Sequence, residues 1–153
     1  MNLNEDLKMK GELTVTVRAE DGTIKQEFNV PNLVVTVGKN YIASRMASNS
    51  ATVMSHMAIG TGTSTPIAGD VNLGTEAYRT SITIAASTNT VTSTATFAAG
   101  NGTGAITEAG IFNYGTYAAS PTSGQFMLCR TTFPAVNKAA GDSIAITWVV
   151  TVS

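Results

Sequence analysis

A lone histidine and a lone cysteine are the first residues of the sequence that could carry chemistry. His56 is the only histidine and Cys129 the only cysteine among 153 residues. A catalytic histidine needs an orienting carboxylate and a nucleophile, and a structural zinc site takes four ligands, mostly nitrogen or sulfur. This chain supplies at most two such ligands. Because His56 lies in the apolar run 54–59, we expect a packed or interface histidine.

Cys129 and two glycine-rich stretches also favour structural roles. Cys129 follows three apolar residues, which is typical of a small buried hydrophobe. Its neighbour Arg130 would favour a reactive thiolate, but adjacent side chains of a strand point to opposite faces. The stretch GTGTST at 60–65 lacks the Lys-Ser/Thr pair of a phosphate-binding loop, and no helix pattern follows it. GNGTG at 100–104 fails the same test, so both stretches are predicted to be loops between strands.

Three charged residues, Arg79, Glu108 and Arg130, stand out because their surroundings are neutral. The only charged residues from position 80 to the end are Glu108, Arg130, Lys138 and Asp142. A catalytic carboxylate pair needs two acids in proximity, and this stretch holds only one acid besides Glu108. We therefore predict that Arg79, Glu108 and Arg130 form a structural ion pair that joins strands, either within the chain or between subunits.

The overall composition excludes several classes of function. Hydrophobic residues make up 43% of the chain and charged residues 12%, about half the usual share, with a net charge of −1. This charge provides no electrostatic footprint for nucleic acid. The N-terminal residues lack the apolar core of a signal peptide, and no apolar run approaches the roughly 20 residues of a membrane span. The single cysteine suits a reducing cytoplasm. We expect no enzymatic activity, cofactor or metal, and no nucleic-acid or membrane partner.

The low charge of the C-terminal half has two interpretations. The surface is either kept soluble by its many threonine and serine hydroxyls, or it is covered by copies of the same chain or by another protein. Neutral surfaces of small residues suit permanent interfaces, which favours the second interpretation.

The hydrophobic pattern predicts mainly β structure. Alternation is clean at 12–18, where Leu13, Val15 and Val17 share one face, and the Asp21-Gly22 pair that follows is a strong hairpin signal. Residues 38–48 form the one plausible helix. An antiparallel β-sandwich with one short helix is predicted, with about eight strands at 12–18, 24–30, 54–59, 79–86, 91–97, 105–113, 125–133 and 143–152.

We expect two parts, an N-terminal arm at 1–11 and a β-sandwich domain at 12–153. The arm carries Leu3, Leu7 and Met9 among polar residues and is predicted to contact a partner. Tyr114 and Tyr117, in the predicted loop 114–124, are further candidates for partner contact. The last strand places Trp148 with Ile144 and Ile146, on a face that points inward or lies exposed depending on the register.

Five motifs together resemble a family of small virion structural proteins of tailed phages. They are NLVVTVGKNYIASRM (32–46), MSHMAIGTGTSTP (54–66), LGTEAYR (73–79), ITEAGIFN (106–113) and LCRTTFPAVNKAAGDSIAITW (128–148). Within that group the chain resembles capsid decoration (cement) proteins, with similarity to the N-terminal domains of tail-collar fibre proteins. No pattern of a fibre shaft or receptor-binding tip follows the last strand, which favours the capsid.

This resemblance implies a non-enzymatic β-sandwich that stabilises the icosahedral head. The implied partners are the major capsid protein and other copies of the chain, as a homotrimer. The implied location is the capsid surface of the virion, after synthesis in the host bacterial cytoplasm. A tail, baseplate or tail-fibre attachment component is the alternative. A glycan-binding module that uses Tyr114 and Tyr117 is a third hypothesis, from a different class.

Overall fold

A computed structural model describes residues 6–48 and 51–153, and in this part of the chain the fold is a sandwich of two antiparallel five-stranded sheets. Sheet I has the strand order β2-β1-β10-β7-β6, and sheet II has the order β3-β9-β8-β4-β5. The predicted fold class is therefore confirmed. In chain order the elements are β1 Met9–Arg18, β2 Ile24–Pro31, β3 Leu33–Val34, α1 Thr36–Ala47, β4 His56–Gly60, β5 Glu76–Ser81, β6 Thr83–Ser87, β7 Thr90–Phe97, β8 Gly104–Phe112, β9 Met127–Lys138 and β10 Ser143–Val152.

The pairing of β1 with β10 forms the centre of sheet I. Leu13 lies opposite Trp148 and Val15 opposite Ile146, so the apolar faces of the two strands coincide. Trp148 is fully buried in the core between the sheets. The inward orientation is thus the one observed. The adjoining hairpin from β1 to β2 is as predicted, because Gly22 adopts φ +86° in its turn.

The predicted start of the first strand at residue 12 was wrong. β1 begins at Met9, which faces Val152, and Lys8 and Ser153 exchange two backbone hydrogen bonds of 2.6 and 2.8 Å. Gly11 makes this start hard to recognise in the sequence. It occupies an inward position, where an apolar side chain would continue the alternation. A Cβ at Gly11 would collide with the side chain of Asn32, so a larger residue there would displace the amide that accepts the Trp148 indole N–H.

A second correction concerns the predicted strand 79–86, which is divided between the two sheets. β5 lies at the edge of sheet II and β6 at the edge of sheet I, and the break falls at Ile82. The N–H of Ile82 bonds to neither sheet's neighbouring strand and donates instead to the Ser55 carbonyl at 3.0 Å. A chain that turns a corner between sheets stays extended, so the residue pattern gives no sign of the break.

The helix α1 begins two residues before the predicted start and packs on β9. Gly38 lies directly against the Leu128 carbonyl, and the Tyr41 and Phe126 rings are 5.7 Å apart. The outer face of sheet II is further covered by the loops 61–75 and 113–126. Beneath them is a second hydrophobic cluster that includes Leu73, Phe112 and Tyr114. The polar residues that the sequence singled out lie around this covered face.

Candidate functional site

Glu108 is the centre of a buried polar network on the outer side of sheet II. Its side chain is fully buried, and its carboxylate accepts three backbone N–H bonds of 2.8 Å from Gly62, Gly74 and Thr75. The first donor belongs to the glycine-rich stretch 60–65. That loop therefore does hold an anion through its backbone, but the anion is the chain's own carboxylate.

Arg130 completes this network from the neighbouring strand β9. Its Nη2 lies 2.8 Å and its Nε 3.1 Å from Oε2 of Glu108, and its Nη1 lies 2.7 Å from Oδ2 of Asp70. Nη2 also donates to the Ser64 carbonyl at 3.1 Å. The predicted pair of Glu108 and Arg130 thus forms within one chain, where it fastens the loop 61–75 to the sheet.

Both charges of this pair persist at neutral pH. Burial acts to raise the pKa of Glu108, but the hydrogen bonds from Thr75, Gly74, Arg130 and Gly62 outweigh it and the pKa lies below its ordinary value. Burial acts to lower the pKa of Arg130, but Asp70 and Glu108 raise it above its ordinary value. The carboxylate oxygens are occupied by donors, so this arrangement suits anchoring and leaves no free base or acid for catalysis.

Arg79 does not join Glu108 and Arg130, which corrects part of the prediction. It forms a two-pronged pair with Glu76, at 2.9 Å from Nε to Oε1 and 2.7 Å from Nη2 to Oε2. Its guanidinium carbon lies 3.8 Å from the Phe112 ring centroid and 4.6 Å from that of Tyr114. Arg79 is therefore enclosed by a carboxylate and two aromatic faces, which offset its loss of water.

Lys138 and Asp142 are buried at the hairpin between β9 and β10. The Lys138 ammonium donates to the carbonyls of Ala98 and Asp142 at 2.9 and 2.7 Å. The Asp142 carboxylate pairs with Lys25 at 2.6 Å and accepts the Ala139 N–H at 2.9 Å. Burial lowers the pKa of Lys138 against the opposing effect of Asp142.

These contacts leave the segment 80–153 without an exposed charged side chain. Its four charged residues are 0%, 2%, 2% and 5% exposed, for Glu108, Arg130, Lys138 and Asp142 respectively. The sequence showed that charge is scarce from position 80 onward. In the structure these few charged side chains are all buried, so the surface formed by 80–153 carries no ionised side chain.

The predicted partner-contact residues differ in how exposed they are. Leu7 is 72% exposed and, with Met9, lines a groove of about 660 Å³ between the start of β1 and α1, whose edge carries Lys8, Lys10 and Lys39. Tyr117 is 53% exposed. Leu3 lies outside the described residues.

Tyr114 is buried, which corrects its prediction as a contact residue. Its ring packs edge-on against Phe112 at 5.5 Å, and its hydroxyl donates to Asn72 at 3.0 Å. Burial raises its pKa. Tyr117 is therefore the one exposed tyrosine of this loop, and the predicted pair of Tyr114 and Tyr117 does not form a shared binding surface.

His56 and Cys129 have the packed environments that the sequence predicted. Nδ1 of His56 lies 2.8 Å from the Ser55 hydroxyl, and burial followed by the nearby charge of Arg79 lowers its pKa. Cys129 is fully buried in the core, and burial raises its pKa far above the ordinary value. Both observations fit side chains that pack.

Three polar residues of the site were not anticipated from sequence. Asp70 lies in an irregular loop, and nothing in its surroundings marks it as a partner of Arg130. Asn113 accepts the Phe126 N–H at 2.7 Å and donates to the Gly124 carbonyl at 2.8 Å, which closes the loop 113–126. Asn32 accepts the Trp148 indole N–H at 2.9 Å. There was a signal in the sequence for two of them, since Asn113 ends the ITEAGIFN motif and Asn32 begins the NLVVTVGKNYIASRM motif.

Comparisons with family models, curated proteins and solved structures gave no match. The described residues include no group of three or more His, Cys, Asp or Glu side chains arranged to hold a metal ion. Within the same residues there is also no helix long and apolar enough to cross a membrane.

Proposed function

We propose that this chain is a non-enzymatic virion structural protein that binds the outside of an icosahedral phage capsid as a homotrimer and stabilises the head. The observation that carries the proposal is the uncharged surface of 80–153. A free monomer usually relies on exposed charge to remain separate from its neighbours. When all the charged side chains of a segment are buried, its neutral surface suits permanent contact with a large assembly or with other copies.

The buried networks support the same proposal from another direction. The side chains that could do chemistry, such as Glu108, Arg130 and Arg79, have partners and hold loops in place. A decoration protein needs this property, because loops fixed before binding lose little entropy when they meet the capsid. The resemblance of the five sequence motifs to cement proteins supplies the identity of the partner, the major capsid protein.

Stabilisation then follows from mass action. A ligand that binds only the assembled lattice stabilises it by RT ln(1 + [L]/Kd). Three copies joined in one trimer raise the effective concentration of the second and third contacts, so weak individual contacts give slow dissociation. The threefold and quasi-threefold positions of an icosahedral shell match such a closed ring.

The test adds purified protein to undecorated phage particles and measures bound copies and the melting temperature of the particles. Hundreds of copies per particle and a raised melting temperature are expected. Binding at about six or twelve copies, or to isolated tails alone, would instead favour the tail or baseplate alternative. Binding to neither would refute the virion proposal.

Charge variants test the observation that carries the proposal. Thr94 and Thr147 are exposed and face each other on the outer side of sheet I. If the uncharged part of that side, on β7 and β10, contacts the capsid, Thr94→Glu and Thr147→Glu together will weaken binding. Gln26→Glu, an exposed change on β2 in the charged half of the chain, is the matched control and should bind as the wild type does. Equal binding by both variants would remove this neutral side from the interface.

A further inference from the structure

β6, the strand Thr83–Ser87, is an exposed edge with no protection against pairing. Its sequence is TIAAS and all five residues are exposed, including Ile84. It is the last strand of sheet I, paired on one side with β7. Among the described residues, no backbone hydrogen bond joins β6 to another element besides β7. Such an edge is a template for another strand.

The other three edges of the sandwich are protected. β2 carries the exposed charges Lys25 and Glu27 and ends at Pro31. β5 has a register shift in its pairing with β4 and carries the buried pair of Glu76 and Arg79, and β3 is only two residues long. Charges, proline and short length are the usual means of preventing edge pairing. β6 has none of them, so it differs from the other edges of the same molecule.

The free hydrogen-bonding groups of β6 follow from its register. Ser87 and Thr90 flank a two-residue turn, and Ala85 and Thr83 lie opposite Thr92 and Thr94. In an antiparallel ladder these alternate residues exchange hydrogen bonds with their partner strand. The residues between them, Ile84 and Ala86, therefore direct their N–H and C=O groups away from the sheet.

We propose that β6 of one copy pairs with β6 of a second copy, antiparallel and centred on a twofold axis at Ala85. In this register the backbone of Ile84 in one copy bonds to the backbone of Ala86 in the other. The symmetric pair does the same, so all the outward N–H and C=O groups are used. Thr83 faces Ser87, and hydroxyl pairs of this kind are favourable across strands. Ala85 faces Ala85, where the small side chains allow close approach.

The absence of exposed charge around β6 favours a second copy of the chain as its partner. β6 and the whole surface contributed by 80–153 lack exposed charge, so an acidic or basic strand would lose solvation without gaining an ion pair. A neutral strand of matching length is the best partner, and β6 itself meets that description. The contact is self-complementary, as a twofold interface requires.

This inference does not depend on the proposed capsid function. A twofold contact at β6 is separate from the threefold contacts of a trimer, and it would join one trimer to the next. The test below uses purified protein alone, so its result is independent of whether capsids are bound.

Cysteine cross-linking tests the register directly. In Ala85→Cys the two new thiols would lie opposite each other at a non-hydrogen-bonded position, with Cα atoms about 4.5 Å apart, within the range of a disulfide. Mild oxidation of the full chain should give a covalent dimer on a non-reducing denaturing gel. Gln26→Cys, also exposed but on the opposite edge of sheet I, should cross-link at least about tenfold more slowly. The native Cys129 is buried and should give no dimer in the wild type. Equal rates for the two variants, or no cross-link at Ala85→Cys, would overturn the proposal.

A charge at the axis provides the second measurement. Ala85→Lys places two like charges opposite each other, which opposes cross-strand pairing. The wild type at high concentration should sediment with at least twice the mass of this variant, and the dissociation constant of its β6 contact should be at least about tenfold lower. Thr94→Lys, on the neighbouring strand β7, is the control and should keep the wild-type mass. Equal masses for the wild type and Ala85→Lys would refute the β6 contact. If Ala85→Lys fails to fold by circular dichroism, the cross-linking rates decide.

Discussion

The Glu108 carboxylate and the Arg130 guanidinium face each other on adjacent strands at 2.8 Å, and both side chains are almost completely removed from solvent. Three backbone N–H groups of the loop 61–75, together with the Asp70 carboxylate, complete the environment of this pair. Burying two charges is costly, and here each is met by several donors or acceptors. The pair therefore ties the order of the loop 61–75 to the stability of sheet II.

Glu108→Gln tests that relationship. The amide removes the charge opposite Arg130 and brings N–H groups towards backbone donors, so we expect a loss of about 3–5 kcal/mol in the free energy of unfolding. Urea denaturation followed by circular dichroism measures it. Glu12→Gln, an exposed change on β1, is the control and should stay within about 0.5 kcal/mol of the wild type. A loss below about 1 kcal/mol at Glu108 would show that the network contributes little.

Trp148 provides a second prediction, which separates packing from hydrogen bonding. Trp148→Ala removes the largest fully buried side chain of the core and should cost about 3–5 kcal/mol. Trp148→Phe keeps most of the apolar volume but leaves Oδ1 of Asn32 without its donor, while Nδ2 of Asn32 already has no partner. We expect a loss of about 1–3 kcal/mol from this variant. Circular dichroism is the suitable probe, because Trp148 is the only tryptophan. Equal losses from the two variants would contradict the assignment.

The sequence predicts those parts of the fold that depend on local alternation and turns. The strand β10 was expected at 143–152 and lies there, because its apolar residues alternate without interruption and face a single core. The Asp21-Gly22 turn was equally clear, because Gly22 requires a positive φ. Features of this kind are determined by residues close together in the chain.

Features that depend on distant residues were missed. The corner at Ile82 depends on a hydrogen bond to Ser55, which is far away in the sequence. Asp70 reaches Arg130 only through the path of an irregular loop. In each case the residue type allowed several partners, and the choice was made by tertiary packing.

His56 predicts how stability depends on pH. Its folded-state pKa lies below its ordinary value of about 6.5, because burial and the charge of Arg79 disfavour the protonated ring. The unfolded chain therefore binds the proton first, and stability falls as the pH drops below about 6.5. His56→Gln should flatten the decrease in melting temperature between about pH 6.5 and 5. The carboxylates with lowered pKa, such as Glu108, act only at lower pH. An unchanged slope in His56→Gln would contradict the assignment.

Gly38→Ala is expected to lower the free energy of unfolding, whereas replacing glycine by alanine in a helix usually raises it. Glycine within a helix is less favourable than alanine by about 1 kcal/mol, so Gly→Ala in an exposed helix stabilises a protein. Gly38, however, lies in the first turn of α1 against β9, and a Cβ there would collide with the backbone carbonyl of Leu128. Backbone of a central strand cannot move aside as a flexible side chain can. We therefore expect Gly38→Ala to lower the free energy of unfolding by about 1–3 kcal/mol.

Gly69→Ala is the matched control for that substitution. A Cβ at Gly69 meets nothing within 4 Å, and its φ lies outside the left-handed region, so the change should be neutral or stabilising by up to about 1 kcal/mol. Thermal and urea denaturation of both variants give the comparison. If Gly38→Ala proves as stable as Gly69→Ala, then α1 can move away from β9 at no cost. In that case the contact between Gly38 and Leu128 does not fix the position of the helix on sheet II.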